Sequence, residues 1–334
     1  MIPLLLLGNK LSERTIFFIK AANELSINVR FVQFPEMENF QEWNHLGLKS
    51  SAIKIDPLEL NSIYIDELDA FSRQYLFLLE KLNSVPGVVF LNSPTEIART
   101  LDKLQCKKML ENAGISTPRL ITSVSSVAEL RRIMDENRLR SVFIKPRFGS
   151  GAAGIIAYRR NLRTDAEVIY TSVKIVAGRL CNTRKLRCIH ERCELETIID
   201  RILVMGALVE EWIPKDSIGG RTYDIRVVRQ FGKIEYAVAR FSKWPITNLH
   251  LGGNAVNLNK ISLDKQTQNE IEKLCNNAMS LFPGLHSAGI DVLLEANTFK
   301  PYIIEINGQG DLLYKDIHGE NKIYKNQLLY LNQL

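Results

Sequence analysis

Val142-Phe143-Ile144-Lys145-Pro146-Arg147-Phe148-Gly149-Ser150-Gly151-Ala152-Ala153-Gly154-Ile155 is the stretch on which the reading of this chain turns. Gly149, Gly151 and Gly154 match the spacing of a dinucleotide-binding turn, but that turn needs a strand before it and a helix after it, with the pyrophosphate on the helix N-terminus. Here Ile155-Ile156-Ala157-Tyr158 continues as a strand. Glycines that join two strands make a flap whose backbone N–H groups can fold over phosphates, and Lys145 at its base adds a point charge. Alone, the same residues also describe a plain glycine-rich hairpin.

A second signal stands near the C-terminus, where Gly289-Ile290-Asp291-Val292-Leu293-Leu294 is followed by Pro301-Tyr302-Ile303-Ile304-Glu305-Ile306-Asn307-Gly308. Each is an apolar strand with an acid among buried positions, and a buried carboxylate is costly unless a cation or donor compensates it. Glu305 and Asn307 are two apart and share a face, and an adjacent strand would bring Asp291 alongside. Three oxygen ligands, with room for water and phosphate, describe Mg²⁺ better than zinc. A structural network of these acids with Arg or Lys is the alternative. Between the two signals, Leu208-Val209-Glu210-Glu211-Trp212-Ile213-Pro214 offers backbone edges for adenine, with Trp212 and Ile213 as walls. Asp224-Ile225-Arg226, Arg240 and the polar loop Pro245 to Asn254 follow. Cations in such places stabilise a transferring phosphoryl group, or serve as structural ion-pair partners.

The chain has 334 residues, 46% hydrophobic and 24% charged, enough for a real core in two or three lobes and against disorder. Its net charge of +6 favours anionic partners. No basic, aromatic-interleaved stretch marks a nucleic-acid surface. The run Ile2 to Leu7 has no basic region before it, is too short to span a bilayer, and reads as a buried first strand. The expectation is therefore a cytoplasmic protein whose five cysteines are free thiols. Cys188, His190 and Cys193 hint at zinc but lack a fourth ligand, so packing is the preferred account.

Short apolar runs at Leu4–Leu7, Val29–Phe34, Ile53–Ile55 and Val88–Leu91 alternate with helical patterns over Glu13–Leu25 and Asp66–Leu82, the signature of an α/β lobe over residues 1–95. Asn92-Ser93-Pro94 opens a helical stretch that ends at Gly114. Strands at Leu120–Ser123, Val142–Lys145, Gly154–Arg159 and Leu208–Glu211, with helices over Val127–Asn137 and Leu195–Met205, give a second unit over 96–211. The third, 212–334, holds two long strands around Phe231-Gly232-Lys233, a helix over Leu263–Leu281 and the two acid-bearing strands. Strand order is not legible.

Taken in order, these segments resemble the ATP-grasp superfamily, nearest the branch of glutathione synthetase and the ribosomal-protein glutamate ligases. The matching set is Asp102-Lys103 with Gly114-Ile115-Ser116-Thr117-Pro118, the Lys145 flap, Glu210-Glu211-Trp212-Ile213, Asp224-Ile225-Arg226, Arg240, Asn248, Asp291, Glu305 and Asn307. Trp212-Ile213-Pro214-Lys215 with Pro245 to Gly252 resembles a bacterial ATP-grasp subfamily still more.

The resemblance implies an α/β (α+β) fold with an N-terminal pre-ATP-grasp lobe, a central lid and a C-terminal ATP-binding lobe. Lys103, Lys145 and the flap residues Gly149, Ser150 and Gly151 would contact phosphates; Glu210, Glu211, Trp212 and Ile213 the adenine; Asp224 or a neighbouring acid the ribose. Asp291, Glu305 and Asn307 would hold Mg²⁺, or Mn²⁺, and Arg226, Arg240 and Asn248 would act at the transferred phosphoryl group. The implied reaction joins a small-molecule or peptide carboxylate to an amine through an acylphosphate, releasing ADP. A nucleotide-binding protein without turnover and a kinase on the same fold are the alternatives. No nucleic acid or membrane partner is implied, and a homodimer is left open. The chain departs from the pattern at the extra residues Asp216–Arg221 and at Ile246, where family members often carry a base; Arg240 or Lys243 is expected to replace that base. The segment Asp165–Arg192 has no assignable counterpart, and it joins the first lobe and the Lys243–Asn254 loop as a source of specificity.

Overall fold

The computed structural model describes residues 2–34, 48–58, 60, 62–121, 124–149, 151–248, 254–310 and 320–333. The first sheet is parallel, with β1 (Leu4–Gly8) between β2 (Val29–Gln33) and β3 (Ala52–Ile55), and β4 (Val89–Phe90) beside β3. Alternation along β1 divides its leucines between two layers. Leu5 and Leu7 pack with Leu78 and Leu79 of α2 (Ile65–Asn83), while Leu4 and Leu6 pack with Phe18 and Ala21 of α1 (Glu13–Glu24). The last helix, numbered α8 (Lys322–Leu331), returns to complete that second layer through Ile323, Tyr324 and Leu328.

Asp102 divides the helical stretch after Pro94 into α3 (Pro94–Leu101) and α4 (Lys103–Asn112), a break that helical periodicity does not reveal. Its backbone is extended and its carboxylate caps α4 by accepting from Gln105 N at 3.1 Å. Cys106 and Leu110 of α4 belong to the core of the C-terminal sheet.

The lid is an antiparallel sheet ordered β5-β10-β6-β7-β8-β9, built from β5 (Leu120–Ile121), β6 (Ser141–Lys145), β7 (Ile156–Arg160), β8 (Glu167–Val176), β9 (Arg179–Ile189) and β10 (Leu208–Glu211). Helices α5 (Val127–Glu136) and α6 (Arg192–Val204) cover one face. The segment without an assignable counterpart is thus the long β8–β9 hairpin at the edge of the lid. Its end reaches the first lobe: Asn182 N donates to Ile63 O at 2.7 Å, Tyr64 bridges Cys181, and Arg179 lies 3.8 Å from the Tyr64 ring centroid while pairing with Asp66 and Glu67.

The third sheet runs β14-β13-β12-β15-β16, comprising β12 (Arg221–Gln230), β13 (Lys233–Ser242), β14 (Asn254–Asn257), β15 (Ser287–Leu294) and β16 (Pro301–Asn307), with the short β11 (Ser217–Ile218) pairing β12. Helix α7 (Lys265–Met279) packs Ile271 and Cys275 against it. Cys188 and Cys193 are exposed thiols. Cys188 Sγ lies 3.3 Å from His190 Nε2, and no group of three or more His, Cys, Asp or Glu is placed to hold a metal among the described residues. Nor is any described helix long and apolar enough to cross a membrane.

Candidate active site

The lid and the third sheet face each other across a cleft of about 960 Å³, counting the space open at its mouth. Alternation decides what each strand presents to it. Along β6, Val142 and Ile144 enter the lid core, leaving Phe143 and Lys145 on the cleft side. On β12, Tyr223, Ile225 and Val227 are core and Asp224 and Arg226 line the cleft. A bulge between β15 and β16, where Asp291 faces Glu305 but Val292 faces Ile303, turns both Ile304 and Glu305 toward the cleft between the core residues Ile303 and Ile306.

Charges on the cleft floor are paired across strands. Asp224 faces Arg240 in register and accepts from its Nε and Nη2 at 2.7 and 2.8 Å. Asp291 faces Arg226, accepts from its Nε and Nη2, and lies 3.1 Å from Arg240 Nη2. Burial alone would raise the Asp291 pKa, but the two guanidinium groups hold it well below the usual carboxylate range. On the lid side, Glu210 is buried and bonded by Lys145, with Lys107 at 3.0 Å. Burial works against this carboxylate too, and the two lysines keep its pKa low.

The flap is anchored at both ends. Lys103 N donates to Arg147 O at 3.1 Å, the Lys103 ammonium donates to Gly149 O, and Arg147 grips the Asp102 carboxylate through Nε and Nη2. Gly154 has φ +75°, and a Cβ there would stand 2.5 Å from Pro146 Cγ, so only glycine closes this turn. Ala152 and Ile246 share one apolar cluster, and Tyr170 of β8 meets Trp244 with ring centroids 5.8 Å apart. The lid thereby touches both of its neighbours.

Residues 94–334 match the YheC/D like ATP-grasp family. The chain belongs to that family. Solved structures of ATP-grasp proteins share its fold over nearly the whole length. The ligase PsnB complexed with minimal precursor is 13% identical, with 100% of this chain and 99% of that one covered and a TM-score of 0.59. D-cycloserine synthetase DcsG is 11% identical, with 98% and 99% covered and a TM-score of 0.61. D-alanine–D-alanine ligase from Bacillus anthracis complexed with ATP is 14% identical, with 99% and 96% covered and a TM-score of 0.56. A search of curated proteins gave no match.

In this ATP-grasp chain the cleft gathers Lys103, Lys145, Gly149, Gly151, Glu210, Glu211, Ile213, Asp224, Arg226, Arg240, Asn248, Asp291, Glu305 and Asn307. Trp212 is not among the residues that line it. Its ring packs 5.0 Å from that of Phe143 and under the Arg159 guanidinium at 4.8 Å. Ser150 lies outside the described residues. Lys243 is exposed and is not among the residues that line the cleft, whereas Arg240 is. Lys215 lines it too, with its ammonium 2.6 Å from Thr247 Oγ1 and 3.2 Å from Pro245 O. Backbone pairing of Lys215 with Glu295, at the end of β15, holds it there. Sequence reasoning misses Lys215 because it stands between strands, where periodicity says nothing about direction. Its only signal is its place directly after Trp212-Ile213-Pro214. Asp224 spends both oxygens on Arg240, and Oδ2 also accepts from Thr247, which makes it a brace for that arginine.

The donor chemistry at Asp291, Glu305 and Asn307 fits a hard divalent cation. All three line the cleft on adjacent strands and offer oxygen. Glu305, 27% exposed, is paired loosely to Lys103 at 3.6 Å, whereas Asp291 would share its oxygens between the cation and two arginines.

Proposed function

We propose that this ATP-grasp protein is an ATP-dependent carboxylate–amine ligase that forms an acylphosphate and releases ADP and phosphate. The observation that carries the reading is the two-sided cleft, with Lys145 and the glycine flap on the lid, Lys103 at the start of α4 against the flap, and Asp291, Glu305 and Asn307 opposite the lid. Among the described lining residues, five cationic groups (Lys103, Lys145, Lys215, Arg226, Arg240) balance five acids (Glu210, Glu211, Asp224, Asp291, Glu305). A polyphosphate entering such a neutral cleft needs its own counter-charge, which a divalent cation brings.

Bound Mg²⁺, or Mn²⁺, supplies Lewis acidity to the phosphates. Glu305 and Asn307 would hold it, with Asp291 sharing. Lys145 meets the phosphates from the lid and Lys103 from the start of α4. Arg226, Arg240, Lys215 and Asn248 surround the transferred group and stabilise its charge without reorganising, since the arginines are already braced by Asp224 and Asp291. Glu210, Glu211 and Ile213 form the adenine end, with the half-exposed Glu211 rather than Asp224 as the acid for the ribose. Closure of the lid excludes water from the acylphosphate. Related structures are described with ATP, with AMPPNP and a precursor peptide, and with Mg and ADP. They support a carboxylate from a small molecule or a peptide.

The test is incubation with Mg-ATP, hydroxylamine and a panel of amino-acid and peptide carboxylates. ADP and phosphate in equal amounts, with a hydroxamate, are expected. AMP and pyrophosphate with a competent carboxylate would exclude the acylphosphate route.

A further inference from the structure

One carboxylate at the inner wall of the cleft has two lysines. Glu210 Oε2 accepts from Lys145, and Glu210 Oε1 lies 3.0 Å from Lys107 Nζ. Lys107 and Glu210 side chains are each only 3% exposed. Lys145 and Glu210 line the cleft, whereas Lys107 comes from α4 and does not. The Lys107 ammonium also donates to Thr117 Oγ1 at 2.6 Å, and that hydroxyl donates to Ile303 O at 2.8 Å. Lys107 is therefore tied to the C-terminal sheet and cannot follow a ligand, while Lys145 borders open space.

A lysine that moves onto a phosphate shares or gives up its hold on Glu210, and a carboxylate left alone in so dry a place is strongly unfavourable. We propose that Lys107 is a positioning residue: the standing counter-ion of Glu210, which frees Lys145 to move onto the phosphates of a bound nucleotide. This rests on the nucleotide-binding reading above. In the free protein the cluster carries one surplus positive charge. After Lys145 departs, Lys107 and Glu210 remain as a neutral pair. Burial lowers the Lys107 pKa while Glu210 counteracts it, so the pair is mutually dependent.

The experiment is calorimetry of Mg-ATP and of adenosine binding to wild type, Lys107→Met, Glu210→Gln and the double variant. In Lys107→Met the carboxylate keeps Lys145, so Mg-ATP affinity falls about tenfold or more. Adenosine, which has no phosphates, changes by no more than about twofold. In the double variant no carboxylate holds Lys145, and the ratio of Mg-ATP to adenosine affinity returns to that of Glu210→Gln alone. That variant also buries no unpaired charge at this point, so it answers the question if Lys107→Met does not fold. Equal loss for both ligands, no loss for either, or a double variant that fails to recover overturns the role of Lys107. Wild-type protein that binds Mg-ATP no better than adenosine is a different failure, and overturns the nucleotide reading with it.

Discussion

Lys215→Met measures how much folding stability the protein gives up to keep a cation in its cleft. The Lys215 side chain is 8% exposed and its nearest carboxylate oxygen, Asp224 Oδ2, is 4.0 Å away. Burial pushes its pKa from 10.5 down to about 8, with Asp224 opposing the fall and Arg240 adding to it. A fall of that size corresponds to about 3 kcal/mol of destabilisation at neutral pH. Methionine keeps the length and removes the charge; Pro245 O loses a donor, a cost of about 1–3 kcal/mol, while Thr247 Oγ1 keeps the bond it donates to Asp224. Ligand-free Lys215→Met is therefore expected to be at least as stable as wild type at pH 7. The pH dependence has a definite sign. Below about pH 8 both folded and unfolded wild type carry the proton, and the folded state bears the full penalty. Between about 8 and 10.5 the folded state has released the proton and the unfolded chain has not, so wild-type stability from this group rises with pH and the advantage of the variant shrinks. Thermal unfolding across that range, with and without Mg-ATP, is the assay. The stabilisation by Mg-ATP should be smaller in the variant, because the lost ammonium faces the cleft. A ligand-free variant less stable than wild type by more than about 2 kcal/mol at pH 7, or one that keeps the whole Mg-ATP shift, would refute the reasoning.

Glu305→Gln should keep ligand-free stability within about 1 kcal/mol of wild type, since its ion pair among the described residues is a loose one at 3.6 Å, yet lose most of the Mg²⁺-dependent part of nucleotide binding. A lowered melting temperature with the Mg-ATP shift retained would make Glu305 structural. Tyr64→Cys tests the clasp between the β8–β9 hairpin and the first lobe. The Asn182–Ile63 hydrogen bond makes Tyr64 and Cys181 a non-hydrogen-bonded antiparallel pair, whose Cα atoms are typically about 4.5 Å apart and within reach of a disulfide. In a Cys188→Ser, Cys193→Ser background, oxidation should stop ADP release and dithiothreitol should restore it. Undiminished turnover with the disulfide intact would mean that the clasp stays shut through the cycle.

Much of the site is legible one residue at a time. Period-two alternation assigns Lys145, Asp224 and Arg226 to one face of their strands, because a side chain opposite a core residue has nowhere else to point, and it sets Glu305 beside Asn307, although only the bulge in β16 turns Glu305 away from the face of Ile303. Gly149, Gly151 and Gly154 between two strands announce a flap for the same kind of local reason. Periodicity cannot tell which strand lies next door. The pairing of Arg226 with Asp291, 65 residues apart, and of Lys145 with Glu210, also 65 apart, exists only once sheets are assembled. The same limit hides Lys107 and Lys215, charged residues outside any strand whose burial depends on distant partners, and the packing of Trp212 against Phe143 and Arg159. It hides as well the return of α8 to the first lobe and the reach of the β8–β9 hairpin to Tyr64. The sequence by itself determined the chemistry available to the cleft, because residue type and alternation are local. Which acid restrains which base, and so which cations are free to meet a ligand, was decided by tertiary structure alone, because charge pairing depends on distances that the chain order does not contain.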